Sequence, residues 1–569
     1  MAPCRWLKLA FPKALASGCA LAAFVAATAW TWRRLGSLVI DGGRELEVPR
    51  RLAEGAHLYS EVRWYWGPLA PWLNALLYRT FGVHADTLMW AGIVTAGLCC
   101  AAIYLLVERF STAWVAAAAS LAFTFGFAFA VRNPYAIFNF VMPFNFSATY
   151  GITLAIWSLY FVILHAENGR SATLGLSAVL AGLAALTKAE VGIAVTAAHV
   201  AFLVTTLPRP GGARVLSWGS GLFVAGGGYI LAYVESRGAV WSSLRELANP
   251  ASRFYVTNTM GLDDLMGGPI RLAASSVGFA LLAFLIWRTG EVSTPNSRAW
   301  KFLWGSCACS VSFALAALSS KVAAIQALPM ALFVGIVHQA MGRNANTSRS
   351  RYMPVLALAL AALARIPLKV GPDHYGFYLL VPMLVAVPVT AEAFATSNTR
   401  VRAPARAAIG VFMIGLALSG IAASRSYLSD RTMDVRARRA HIRVATSCAE
   451  AQWLPWLSAL PTTTRVAAIP EGAGLVFAAG LTPTTDGFTS YLPMELFEPE
   501  LDANLAATWD ASPPDVILYR AQNQAPVFGF LGFGHDYALE AGEWIMRNYA
   551  QRGDLVDGIA LFLPRHPAH

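Results

Sequence analysis

Apolar residues arrive along this chain in blocks of roughly twenty, parted by short polar breaks, the length a helix needs to cross a hydrocarbon core about 30 Å thick. The pattern predicts spans near 14–32, 87–107, 112–131, 148–165, 171–187, 190–206, 217–236, 271–287, 301–318, 322–338, 353–368, 375–391 and 407–423. The expected fold class is a polytopic α-helical membrane protein with about thirteen transmembrane helices, filling residues 1–423. The short stretches 171–187 and 190–206 are also compatible with one re-entrant pair.

Between the first two spans lies a polar segment, 33–86. Leu46, Val48 and Leu52 recur on one stripe of 44–54, with Gly55 after it, and Leu69, Trp72, Leu73, Leu76, Leu77 and Phe81 recur over 68–81, with Gly82 after it. Helical spacing closed by glycine predicts two short amphipathic helices. Tyr59, Trp64, Trp66 and Trp72 suit the headgroup layer, so both helices are expected to lie flat on the leaflet. A second polar segment, 237–270, is expected to be a loop over a site. The tail, 424–569, reads as a small α/β domain: a helix over 430–459, strands at 465–469, 515–519 and 558–563, and helices near 497–508 and 538–549.

Composition agrees with the membrane assignment: 56% of residues are hydrophobic, 13% charged, and mean hydropathy is +0.51. Soluble domains carry about 25% charged residues. The formal net charge of +11 marks sidedness rather than a nucleic-acid partner. With the amino terminus inside, basic residues are denser in the inner segments, the short loops 209–214, 342–352 and 400–406 most clearly. The tail, with 11 Arg against 16 acids, then falls outside, on the side of 33–86, and is expected to lean over that loop. The first span has the basic flank of a secretory signal but a longer core, and is read as an uncleaved helix. Six of the seven cysteines, Cys4, Cys19, Cys99, Cys100, Cys307 and Cys309, lie in or beside spans; only Cys448 is in the tail, and no CxxC metal pair occurs.

The candidate chemistry starts at Asp41, a carboxylate where the first helix leaves the bilayer. It is followed by Gly55, Leu58-Tyr59, Gly67-Pro68-Leu69 and Phe81-Gly82, then by LTKAE at 186–190 and GPDHYGFYLLVP at 371–382. This series resembles the GT-C glycosyltransferases, in particular bacterial family 39 members related to the protein O-mannosyltransferases and the aminoarabinose transferase. The resemblance implies an inner-membrane enzyme with an extracytoplasmic tail. It would move a sugar with inversion from a polyprenyl-phosphate donor to a glycan, lipid or protein acceptor. Asp41, held ionised at the watery rim of the bundle, would be the general base. Lys188, Arg132, Lys321, Lys369 and His374, at outer helix ends, are candidates for the donor phosphate, with Tyr375, Tyr59, Glu61 and Glu45 as further substrate-binding candidates. Relatives often carry a second acid directly after the Asp; here Gly42 and Gly43 follow, so a divalent metal is left unassigned.

Plainer roles compete. Asp41 suits a helix N-cap, Lys188 and Glu190 a structural ion pair, Asp263-Asp264 a solvated pair, and His374 an interfacial histidine. Arg436, Arg438, Arg439 and Arg443 suit one solvated or headgroup-facing helix side, and Asn145-Phe-Ser is a weak glycosylation sequon. Two other functions are compatible with the chain: a transporter or flippase of lipid-linked glycans, which would need polar or broken mid-membrane helices, and an envelope scaffold built on the tail.

Overall fold

The protein is described by a computed structural model covering residues 3–206, 212–246, 268–291, 297–319, 328–341, 346–365, 371–395, 399–484, 499–520 and 531–565. Each expected span overlaps helix among the described residues. The first is α1 (Pro3–Thr31), followed by the loop helices α2 (Gly42–Ala53) and α3 (Leu69–Phe81). Next come α4 (Ala85–Phe110), α5 (Ala113–Phe123), α6 (Phe146–Asn168), α7 (Ser171–Ala185), α8 (Ala189–Thr206), α9 (Gly212–Glu235) and the short α10 (Ala239–Glu246). The second half of the bundle is α11 (Gly268–Glu291), α12 (Ser297–Ser319), α13 (Leu328–Met341), α14 (Asn346–Leu363), α15 (Met383–Ala395) and α16 (Thr399–Asp430). Among the described residues, six helical stretches are long and apolar enough to cross a membrane; Ala113–Ala128, Ser171–Ala185 and Ser350–Leu363 are apolar but shorter.

Small residues set the closest crossings. A Cβ on Gly182 would meet Gly221 O at 2.4 Å, and one on Gly221 would meet Ala178 O at 2.4 Å, so α7 and α9 touch backbone to backbone. Such contacts are a common device where lipid removes the hydrophobic incentive for helices to associate. The apolar stretch at 112–131 does not stay helical throughout. After α5 the chain takes one wide π-type turn, Thr124–Ala128, against which α16 packs so closely that a Cβ on Gly420 would meet Phe125 O at 1.8 Å. The chain then leaves as a buried loop carrying Phe129, Phe138, Phe140 and Phe144 into the core.

The tail departs from expectation at its start. Instead of one helix over 430–459, α16 ends at Asp430 and a hairpin follows, β1 (Met433–Arg436) antiparallel to β2 (His441–Val444). Val435, Ile442 and Val444 are buried in alternation with polar neighbours, the period of two that marks a half-buried strand. Only α17 (Ala449–Ala459) is helical there. The remaining elements are β3 (Arg465–Ile469), α18 (Ala473–Ala479), β4 (Thr482–Pro483), α19 (Pro499–Ala511), β5 (Val516–Arg520), α20 (Leu539–Asn548), β6 (Tyr549–Val556) and β7 (Ile559–Pro564); β3, α19, β5, α20 and β7 fall where expected, and α18, β4 and β6 are additional. The sheet order is β4-β3-β5-β7-β6, with β4, β3 and β5 parallel.

This tail sits on the first polar loop. Gly472 N–H donates to Val39 O (2.9 Å), Arg443 N–H to Arg33 O (2.7 Å), and Ala85 N–H to Arg439 O (2.8 Å). Gly43 and Gly474 admit the closest approach: a Cβ on Gly43 would meet Gly474 N at 2.4 Å, and one on Gly474 would meet Leu38 O at 2.3 Å. α2 is therefore not lying free on the leaflet. It is clamped under α18, with Arg44, Glu45, Glu47, Val48 and Leu52 buried. α3 keeps an apolar exposed side, Leu73, Leu76 and Phe81.

Candidate functional site

Two motifs that are distant in sequence join first. Gly67 N–H donates to Thr187 O (2.8 Å) and Leu69 N–H to Leu186 O (3.1 Å). The GPL element is thereby fastened to the turn between α7 and α8. Gly67 is required there, since a Cβ would meet Leu186 O at 2.1 Å. The turn presents Lys188, buried, within 5.3 Å of the ring centres of Trp66 and Phe144 and 5.2 Å of that of Tyr378. Lys188 Nζ is 3.5 Å from Glu190. Glu190 also accepts from the Tyr378 hydroxyl (2.6 Å) and from Arg365 (3.0 Å). The ion pair expected as a plain alternative exists, as part of a larger network. Burial pulls the Lys188 ammonium down to about 8, with Arg365 and Arg44 adding to that and Glu190 opposing it.

Asp41 stands beside this network. It precedes α2 at the N-cap position, but its side chain makes no cap bond and its backbone has φ +55°. A positive φ at a non-glycine residue is uncommon and costly. The capping explanation therefore fails: the carboxylate is turned away from its own helix. Its Oδ2 accepts from the Tyr375 hydroxyl (3.1 Å), and its Oδ1 lies 3.6 Å from Arg44 Nη2. Asp41 is 8% exposed, so the expected place at a watery rim is corrected. The carboxyl is enclosed, because α18 and the end of β5 close over the loop. Burial raises its proton affinity; Arg44, the Tyr375 hydroxyl, Arg520 and Lys188 each pull it back.

Glu45 follows one helical turn on, also buried. Phe146 N–H donates to its Oε2 (2.8 Å) and Arg44 Nε to its Oε1 (3.4 Å). Burial pushes its carboxyl up to about 7 against the pull of Arg44 and the Phe146 N–H. Arg44 itself stacks 4.6 Å from the Trp66 ring centre and donates to Phe144 O (3.0 Å). Tyr375 packs edge-on to Phe144 (4.9 Å) and Phe138 (5.2 Å), which holds its hydroxyl toward Asp41.

The other expected residues divide. His374 packs on Tyr375 and Phe138, bordering the site. Arg132 donates to Ser419 Oγ (3.3 Å); burial lowers its guanidinium, and nearby Asp373 opposes that. It borders the same 371–376 segment. Tyr59 and Glu61 serve the loop's own turn: the Tyr59 hydroxyl donates to Trp66 O (2.7 Å), and Glu61 accepts from His57 N–H (2.7 Å). Lys321, Lys369 and Asp263-Asp264 lie outside the described residues, as does most of the 237–270 loop. Asn145 is buried as the N-cap of α6, accepting from Ser147 N–H (2.7 Å), so the sequon is structural. Arg438 and Arg439 are not on a helix. Arg438 donates to Ala479 O (2.9 Å), and Arg439 lies over the Phe477 ring, fastening the hairpin to α18. Among the described residues no group of three His, Cys, Asp or Glu is arranged to hold a metal.

Sequence reasoning missed four contributors: Arg44, Arg365, Tyr378 and Arg520. Arg44 could have been found, being three residues after Asp41 on a helix. Arg520, buried at the end of the apolar run VILYR, also carried a signal, since charged groups are seldom buried without a partner.

Fold and cluster together define a polytopic helical membrane protein with a charged, aromatic-walled site at one end, roofed by an α/β unit. Residues 66–225 match the family model for dolichyl-phosphate-mannose-protein mannosyltransferases. This supports the likeness to GT-C membrane glycosyltransferases read from the loop motifs. The solved structures similar to this chain include ArnT from Cupriavidus metallidurans in the apo state, at 12% identity and TM-score 0.47, over 99% of this chain and 98% of that one. The same protein bound to undecaprenyl phosphate gives 15% identity and TM-score 0.42, with the same coverage. The Archaeoglobus fulgidus oligosaccharyltransferase in the apo form gives 13% identity and TM-score 0.49, over 95% of this chain and 73% of that one. No curated protein matches.

Proposed function

We propose that this protein is an inverting glycosyltransferase of the bacterial inner membrane, moving a sugar from a polyprenyl-phosphate carrier to a glycan, lipid or protein acceptor on the outer face. The observation that carries this reading is the Asp41 carboxylate. It is buried, free of any capping duty, held by the Tyr375 hydroxyl and ringed by cations, at the point where the two family-like motifs are bonded together. The match to the mannosyltransferase family over 66–225 supports it.

In the proposed reaction, Asp41 takes the proton of an acceptor hydroxyl as that oxygen attacks the anomeric carbon. The bond from that carbon to the phosphate oxygen breaks, and its electron pair leaves with the lipid phosphate. Proton removal by a placed carboxylate contributes roughly 10²–10⁴-fold. The leaving phosphate needs positive charge, and the cluster has it to give. Arg44, Lys188, Arg365 and Arg520 face Asp41, Glu190, Glu471 and Glu45, and burial raises the Glu45 carboxyl to about 7, so the cluster gains positive character wherever Glu45 holds its proton. Lys188 and Arg365 are the phosphate contacts in this reading. The tail from 424 onward is its extracytoplasmic domain, and an alkaline phosphatase fused to the carboxyl terminus should be active; an inactive, stably expressed fusion would reverse the orientation.

The deciding experiment is Asp41→Asn, which keeps size and removes basicity. Mass analysis of envelope lipids and glycans from cells with the native chain, without it, and with the variant should show the variant matching the null. Full restoration by the variant would reject Asp41 as the base.

A further inference from the structure

The tail's sheet has a feature the proposed reaction does not use. The chain runs from β3 to β4 on one side of β3, then returns to β5 on its other side, with all three strands parallel. In open α/β sheets the crevice beyond the carboxyl ends of such strands, where the order reverses, is where ligands are held. Here that crevice opens onto the membrane part. At the end of β3, Gly472 N–H is bonded to Val39 O (2.9 Å), two residues before Asp41. At the end of β5 stands Arg520, with its side chain 5% exposed. Arg520 is ion-paired with Glu471 from the neighbouring strand end and lies over the Tyr135 ring, 5.7 Å from its centre, with Nη2 donating to the Tyr135 hydroxyl (3.4 Å). Its Nε is buried with no partner among the described residues.

We propose that the tail completes the membrane site, Arg520 being a positioning residue for the Asp41 carboxylate and Glu471 the counter-charge that sets how strongly it acts. A buried cation is costly and persists where a charge partner repays it. Glu471 claims one edge of the guanidinium and Tyr135 another. The remaining attraction reaches Asp41, which also feels Arg44 from its own helix, Lys188 from the α7–α8 turn and the Tyr375 hydroxyl, with the Glu45 carboxyl as its titratable neighbour. Arg520 arrives from a unit hundreds of residues away, so Asp41 carries its full set of counter-charges only when the tail is docked. The catalytic consequence rests on Asp41 being the base proposed above, whereas the placement does not.

The test reads the carboxyl itself. Dicyclohexylcarbodiimide modifies protonated buried carboxyls, and peptide mapping by mass spectrometry separates the Asp41 and Glu45 adducts. On the purified full-length chain, labelling of Asp41 is followed from pH 4 to pH 8. In Arg520→Gln the midpoint should move to higher pH by about one unit, the lower end of what an adjacent opposite charge supplies. Arg520→Lys should restore the native midpoint, and Glu471→Gln should move it to lower pH by freeing Arg520. An unchanged midpoint in a normally folded Arg520→Gln protein overturns the proposal. So does an Arg520→Lys midpoint equal to that of Arg520→Gln, or no Asp41 labelling in either protein at any pH. Should the midpoint shift while Asp41→Asn retains full transfer, the placement stands and the catalytic reading alone fails.

Discussion

Two carboxylates at opposite ends of one bundle show how differently a membrane protein can bury the same group. Glu392 lies at the far end of the span that begins near Tyr378. It is 2% exposed and fully engaged: Ser111 Oγ donates to it (2.8 Å), Arg402 Nε donates (2.9 Å), and Arg406 donates through Nε (2.5 Å) and Nη2 (3.2 Å). Asp41 is nearly as enclosed, yet among the described residues it has one hydrogen bond, from Tyr375, and a guanidinium at 3.6 Å. The first arrangement is a lock, in which every lone pair has a donor, and ties α4, α15 and α16 together. The second leaves a charged group short of donors in a strained backbone position, a cost that structure alone gives no reason to keep. Strain and unmet polar demand of that kind gather at functional sites.

The largest effect that separates the two is Asp41→Asn. Transfer should fall by roughly 10²–10⁴-fold, while the melting temperature of the detergent-purified protein holds or rises, since an amide costs less to bury than a carboxylate. A loss of activity that merely tracked a loss of folded protein would make Asp41 another lock. Glu392→Ala should give the reverse signature. Removing one partner of a buried pair costs about 3–5 kcal/mol; Arg402 and Arg406 are 40% and 30% exposed and can rehydrate, so about 2 kcal/mol is expected. Activity per folded molecule should be unchanged.

Tyr375→Phe sharpens the comparison on a smaller scale. The hydroxyl is the one hydrogen bond described to Asp41, whereas the ring is held by Phe138 and Phe144 and should not move. A hydrogen bond to a charged group is worth about 1.5–3 kcal/mol. Transfer should therefore drop at least about tenfold with little change in thermal stability. Equal activity would mean that Asp41 is oriented by Arg44 alone.

The same contrast explains what could be read from the chain beforehand. The spans were legible because lipid demands long apolar runs, and each expected span met a helix. The site was legible where it is local: Asp41, Glu45, Lys188 and Tyr375 sit in short motifs, and all four converge. What could not be read depends on contacts between distant segments. Arg520 is brought to Glu471, over the Asp41 loop, only through a sheet whose strand order no periodicity reveals, and Arg365 meets Glu190 across 175 positions of the chain. The Arg-rich stretch at 436–443 reads as helix because charge masks its alternation, although Ile442 and Val444 lie two apart. The depth of Asp41 is hidden from the sequence for a related reason: the roof over it is built by the tail.

Glu45 gives the finest test, because it lies between the two extremes. Its carboxyl has a backbone donor in Phe146 and a long contact to Arg44, so it is better engaged than Asp41 and worse than Glu392. Burial lifts its pKa from the ordinary 4.5 to about 7. A carboxyl raised on folding makes the folded state bind more protons than the unfolded chain between those two values. Stability therefore falls as pH rises from about 4.5 to about 7 and is level above that. The shift sets a ceiling of about 3 kcal/mol for this loss. Glu45→Gln removes the titration but leaves Arg44 facing an amide, so the net gain above neutrality should be nearer 1 kcal/mol. Melting temperatures of the native and Glu45→Gln proteins should thus diverge in the variant's favour on going from pH 5 to pH 8. A difference independent of pH would show that Glu45 stays ionised throughout, and the surplus positive charge assigned to the leaving phosphate would then be absent.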